Sequence, residues 1–132
     1  MNSSNIDNKN ERIETLSKEV KLNSVIDDAE FDLFNVNGFS GDFSFLPGAS
    51  SSFYQFAIKV NPVEIKKWED DLLEIKGEID SEKWIADLVL PRKNNWKTLS
   101  KPRFYTRKGN EQSVKIIIFE KEGLIFKRIN QE

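Results

Sequence analysis

The spacing of apolar positions changes along this chain between that of helices and that of strands. Ile13, Leu16 and Val20 recur three or four residues apart, which predicts a short amphipathic helix over residues 11–22. From Phe31 the period drops to two. Phe31, Leu33 and Val36 read as a strand, with Asn37-Gly38 as its turn. Phe43 and Phe45 alternate with polar residues over 42–46, a second strand closed by Pro47-Gly48. Tyr54, Phe56, Ile58 and Val60 make a third. Asn61 suits an N-cap, Pro62 the first helical position, and Glu64 stands three residues after the cap. Ile65, Trp68, Leu72 and Ile75 then fall on one helical stripe and Gly77 suits the C′ position, so a helix is predicted over 62–76. A further helix after Asp80 or Ser81 would carry Trp84, Ile85 and Leu88 inward and stop at Pro91.

Residues 91–102 read as irregular. Three strands follow over 103–107, 113–119 and 124–129, separated by Lys108-Gly109-Asn110 and by a turn ending in Gly123. Ile116-Ile117-Ile118 has apolar groups on both faces, as a central strand does. The order predicts an α+β fold: a mainly antiparallel sheet of about six strands with two or three helices packed on it. Residues 1–10, rich in Asn and Ser, read as a flexible tether; residues 11–132 read as one domain. A chain of 132 residues with ten Phe and three Trp can build its core without covalent staples.

The composition narrows the chemistry. The chain has no His and no Cys. That excludes a Ser–His triad, an imidazole base, a thiolate nucleophile, disulfides and the usual zinc ligand sets. A metal would have to be held by carboxylates and carbonyls, and no cofactor is expected. No run of about 18 apolar residues is present, so no transmembrane segment is expected.

Local candidates for chemistry read better as structure. Asp27, Asp28, Glu30 and Asp32 lack the Gly and distal Glu of a calcium loop, and read as a solvated approach to a strand. Gly38-Phe39-Ser40-Gly41 has its second Gly one position too early for a nucleophile elbow, and no His exists to activate Ser40. Trp68 and Trp84 lie on apolar helical faces and read as core. Trp96 stands in a polar, basic stretch and fits either an exposed anchor or a cap over the sheet end.

Charge is distributed unevenly. Residues 1–90 hold 18 acidic and 9 basic side chains, and residues 91–132 hold 4 acidic and 11 basic. Seven bases and no acid fall within 91–108: Arg92, Lys93, Lys97, Lys101, Arg103, Arg107 and Lys108. Trp96, Phe104 and Tyr105 lie among them. Bases interleaved with aromatics can hold single-stranded nucleic acid by phosphate contact and stacking. They can equally dock an acidic protein face, or be spent on pairs within the domain. A pI near 5.4 favours a protein partner over nucleic acid. The opposite polarity offers a second surface, an acidic helical face with its following turn: Asp70, Glu74, Glu78, Asp80 and Glu82.

In size, α+β build, high charge, absence of a catalytic set and Asn/Lys/Ile-rich composition, the chain resembles small bacterial effector-immunity proteins. The resemblance implies a non-catalytic inhibitor that binds a toxin or effector and covers its active site. It carries no motif, so it brings no residue roles with it. The alternative is a nucleic-acid-binding module built on segment 91–108. The Asn/Ser-rich start is similar to that of mature bacterial lipoproteins. That implies a periplasmic place if an upstream signal has been removed, and a cytoplasmic one otherwise.

Overall fold

The computed structural model describes residues 2–18, 20, 22–35, 52–70, 72–107 and 114–130. Helix α1 is Lys9–Ser17, α2 is Ile65–Glu69 and α3 is Lys83–Val89. The strands are β1 Asp28–Asn35, β2 Ser52–Lys59, β3 Leu72–Ile75, β4 Arg103–Arg107, β5 Val114–Phe119 and β6 Leu124–Asn130. They form one sheet in the order β1-β2-β6-β5-β4-β3, and every pairing is antiparallel. The α+β class, the six-stranded antiparallel sheet and its three helices are as expected.

The register explains the core. Residues paired directly across an antiparallel ladder share a face. One row runs Phe31, Phe56, Lys127, Ile116, Tyr105, Glu74. Its face packs on Leu16 of α1 and on Ile65 and Trp68 of α2. The next row runs Glu30, Ala57, Phe126, Ile117, Phe104, Ile75. Its face packs on Trp84, Leu88 and Val89 of α3 and on Trp96. With both faces covered, central β5 needs apolar groups in both directions, which is what Ile116-Ile117-Ile118 provides. Gly123, at φ +71°, closes the β5–β6 hairpin; a Cβ there would lie 2.0 Å from the Val60 carbonyl oxygen.

Four expectations change. The helix predicted over 62–76 stops at Glu69. A 3₁₀ turn Pro62–Glu64 capped by Asn61 leads into α2, Asp70 turns to φ −56°, ψ 141°, and the chain becomes strand β3. The spacing of Leu72 and Ile75 fits a helix, but a helix here would forgo pairing with β4. As a strand the segment pairs with β4 over four residues, Leu72 meeting Arg107 and Ile75 meeting Phe104. Gly77 is no helix cap. It lies flat on Phe104, where a Cβ would come within 2.6 Å of the ring.

Helix α1 starts earlier than expected and ends earlier, with Asn8 as its N-cap accepting from the Glu11 N–H at 3.0 Å. The segment read as a tether lies on the sheet instead: Asn2 bridges to Asp32 and buried Ser3 opens a 3₁₀ turn, Ser3–Asn5. Asp28 and Glu30 are not in a solvated approach but buried within β1. The expected strand at 42–46, its flanking turns at Asn37-Gly38 and Pro47-Gly48, and Ser40 lie outside the described residues.

Candidate functional site

Segment 91–108 does not assemble into one basic–aromatic surface. A 3₁₀ turn, Leu90–Asn95, follows α3, and Arg92 leaves helical geometry there at φ −133°, ψ 37°. Its guanidinium turns inward to Glu30, donating from Nη2 to Oε1 at 2.8 Å and to the Ser3 carbonyl at 2.6 Å. Hydrogen bonding to Glu30 raises the Arg92 pKa above its ordinary value. Trp96 is 4% exposed, packed against Phe126 at 6.3 Å, with the Lys59 ammonium 5.8 Å from its ring centroid. Among the described residues its buried Nε1–H has no hydrogen-bond partner. Tyr105 is buried and donates its hydroxyl to Glu69 at 3.0 Å; burial first, and then that bond, push its pKa up to about 12. Lys93, Lys97, Lys101 and Arg107 are exposed with no aromatic platform between them among the described residues, and Lys108 lies outside those residues.

The acidic set divides in the same way. Without a helix over 70–76 there is no acidic helical face. Glu82 is 6% exposed, accepting from the Trp84 indole N–H at 2.9 Å and from Lys115 at 2.9 Å. It ties α3 to β5 and is not available to a partner. Asp70, Glu74, Glu78 and Asp80 are exposed.

One place does bring residues of both sets together. Arg103 on β4 lies between Glu74 of β3 and Glu120 of the β5–β6 turn, 3.4 Å from each. A groove of about 560 Å³ runs beside this pair, lined by Glu74, Ile75, Glu78, Arg103, Phe104 and their neighbours. Next to it Leu73, Ile75 and Ile79 are 40%, 36% and 40% exposed. Sequence spacing had placed Ile75 on a buried helical stripe. The signal that could have found this site is Leu73 itself, which no helical stripe accommodates, together with its two-residue step to Ile75.

The two edges of the sheet differ. On β1, Ser3 Oγ accepts from the Phe31 N–H at 2.9 Å, Asp28 accepts from the Ala29 N–H at 2.7 Å, and Arg12 Nε donates to the Ala29 carbonyl at 2.9 Å. From Asp28 to Asp32 that edge is closed. On β3, among the described residues, no hydrogen bond reaches the outer side. Also among the described residues, no group of three or more Asp or Glu is placed to hold a metal ion, and no helix is long and apolar enough to cross a membrane. Comparison with protein-family models, with curated proteins and with solved structures finds no match.

Proposed function

We propose that this chain is a non-catalytic binding protein that docks a protein partner along β3, in the manner of an immunity-type inhibitor that covers a toxin or effector. The observation that carries this is the difference between the two sheet edges. β1 is closed at Ala29 and Phe31 by three separate side chains, whereas β3 presents Leu73, Ile75 and Ile79 beside a ladder that none of the described residues occupies. An open, partly apolar edge is a hazard in a protein that works alone and an asset in one that works by pairing. The nucleic-acid alternative is less well supported, because Trp96 and Tyr105 are buried and, among the described residues, Lys93, Lys97 and Lys101 have no stacking surface.

The test is affinity capture by the tagged chain from a lysate of its source organism, with nuclease and at two salt concentrations. One stoichiometric protein is expected, surviving both treatments. It should be lost with Leu73→Asp plus Ile75→Asp and kept with Lys93→Glu, Lys97→Glu and Lys101→Glu together. Circular dichroism checks that each variant is folded. Recovery that disappears with nuclease would move the function to nucleic acid. If the captured protein is an enzyme, one equivalent of the chain should suppress its activity; full activity in the complex would remove the inhibitor role.

A further inference from the structure

Resting on that protein-binding function, we infer that β3 recruits its partner by strand addition, and that the incoming segment is extended and alternates apolar with Lys or Arg side chains.

The backbone argument starts at the closed edge. In an antiparallel ladder, successive residues turn their N–H and C=O alternately toward one neighbour and the other. Ala29 and Phe31 bond to Arg12 and Ser3, so they face away from β2. Glu30 therefore pairs with Ala57 through hydrogen bonds. The continuous registers carry this alternation across the sheet through Phe56 with Lys127, Phe126 with Ile117, Ile116 with Tyr105 and Phe104 with Ile75. Ile75 and Leu73 thus bond inward to β4, whereas Leu72 and Glu74 point their N–H and C=O outward. A seventh strand would find donors and acceptors at these two residues.

The side chains select the sequence of that strand. On one face it would lie beside exposed Leu73 and Ile75, with Ile79 and the groove beyond, which suits apolar groups. On the other it would lie beside half-buried Leu72 and exposed Glu74. Around this edge the exposed charges are Asp70, Glu74, Glu78 and Asp80 against Lys76, Arg103 and Arg107, and Arg103 is already shared by Glu74 and Glu120. The surplus is negative, so the complementary strand is basic. A second copy of the same chain fits less well, because two such edges side by side would set Asp70, Glu78 and Asp80 of each against the other.

The probe is a ten-residue acetylated and amidated peptide alternating Val with Lys and Arg, titrated into the uniformly ¹⁵N-labelled full chain. Saturable amide shifts are expected at residues 72–77 and in β4. Replacing the peptide's bases by Glu should weaken binding by about tenfold or more. N-methylation of the peptide amides that face β3 should abolish it, while methylation of the alternate amides should not. Glu74→Pro removes an outward N–H and no ladder bond, so the melting temperature should hold within about 4 °C while binding is lost. Glu74→Gln keeps the N–H, so it should weaken binding only by the loss of one charge and leave it measurable where Glu74→Pro abolishes it. No shifts at β3, or equal binding by both methylated peptides, would overturn strand addition. Self-association sensitive to Glu74→Pro, read by sedimentation equilibrium, would assign the edge to a second copy instead. A Glu74→Pro chain that still captures its protein partner would refute strand addition while leaving the binding function standing.

Discussion

Glu30 has no solvent exposure, yet it is surrounded by charge. It accepts from Ser3 at 2.6 Å and from Arg92, and Arg12 lies 4.0 Å away while donating to Asp28 at 2.8 Å. Two guanidinium groups thus meet two carboxylates. A buried charge is tolerated only when paired and hydrogen-bonded, and removing one member leaves the others uncompensated. Glu30→Gln should therefore destabilise the fold by about 3 kcal/mol, seen as a lower urea midpoint with an unchanged slope. Lys127 is the contrasting case. It lies over Phe56 with no carboxylate paired to it among the described residues. Burial first, and then the Arg107 charge, lower its pKa to about 8. Between about 8 and the ordinary 10.5, the unfolded chain holds a proton that the folded chain has released. Stability should therefore rise with pH through that window. Lys127→Met should raise stability at pH 7 by roughly 1–3 kcal/mol and flatten that rise; thermal melts from pH 7 to 10.5 measure both.

At the scale of elements, the strands outside the 62–76 region were legible and the long helix was not. β2, β4, β5 and β6 show period-two alternation or a doubly apolar run, and each is present close to its expected bounds. The cap at Asn61 was also read correctly, but a cap starts a helix without deciding its length. Leu72 and Ile75 satisfy a helical stripe and an edge strand equally well. The choice is made by β4, about thirty residues further on, which supplies a ladder that a helix would forgo. Gly77 lets the chain pass close over Phe104 at the end of β3. Gly77→Ala would force its Cβ against the ring and should cost about 1–3 kcal/mol. Gly123→Ala should cost at least as much, since it adds a left-handed φ to a clash with the Val60 carbonyl. Denaturant titration of both variants checks the order.

Considered as a whole molecule, the domain is asymmetric in how it ends. The N-terminal segment runs along β1 and holds it with Asn2, Ser3 and Arg12, while β3 carries no such guard among the described residues. Deleting residues 1–8 should lower stability and expose the β1 ladder; a shift from monomer toward oligomers in sedimentation velocity would be the signature. A chain that stayed monomeric at full stability would show that this closure is dispensable. The charge asymmetry along the sequence is partly offset in space. Arg92 pairs with Glu30, Arg103 with Glu74 and Glu120, and Lys115 with Glu82, so basic residues of the last third meet acids from all along the chain.

The class of fold, the strands β2, β4, β5 and β6 and the absence of imidazole and thiol chemistry were determined by the sequence alone, because periodicity and composition are local properties. The candidate site was not. Whether Arg92 and Glu82 are surface charges or buried ties depends on partners 62 and 33 residues away. Whether Leu73 and Ile75 lie on a helix or a free edge depends on which strand stands beside them. These are decided by pairing between segments distant in the chain, and only the tertiary structure contains that pairing.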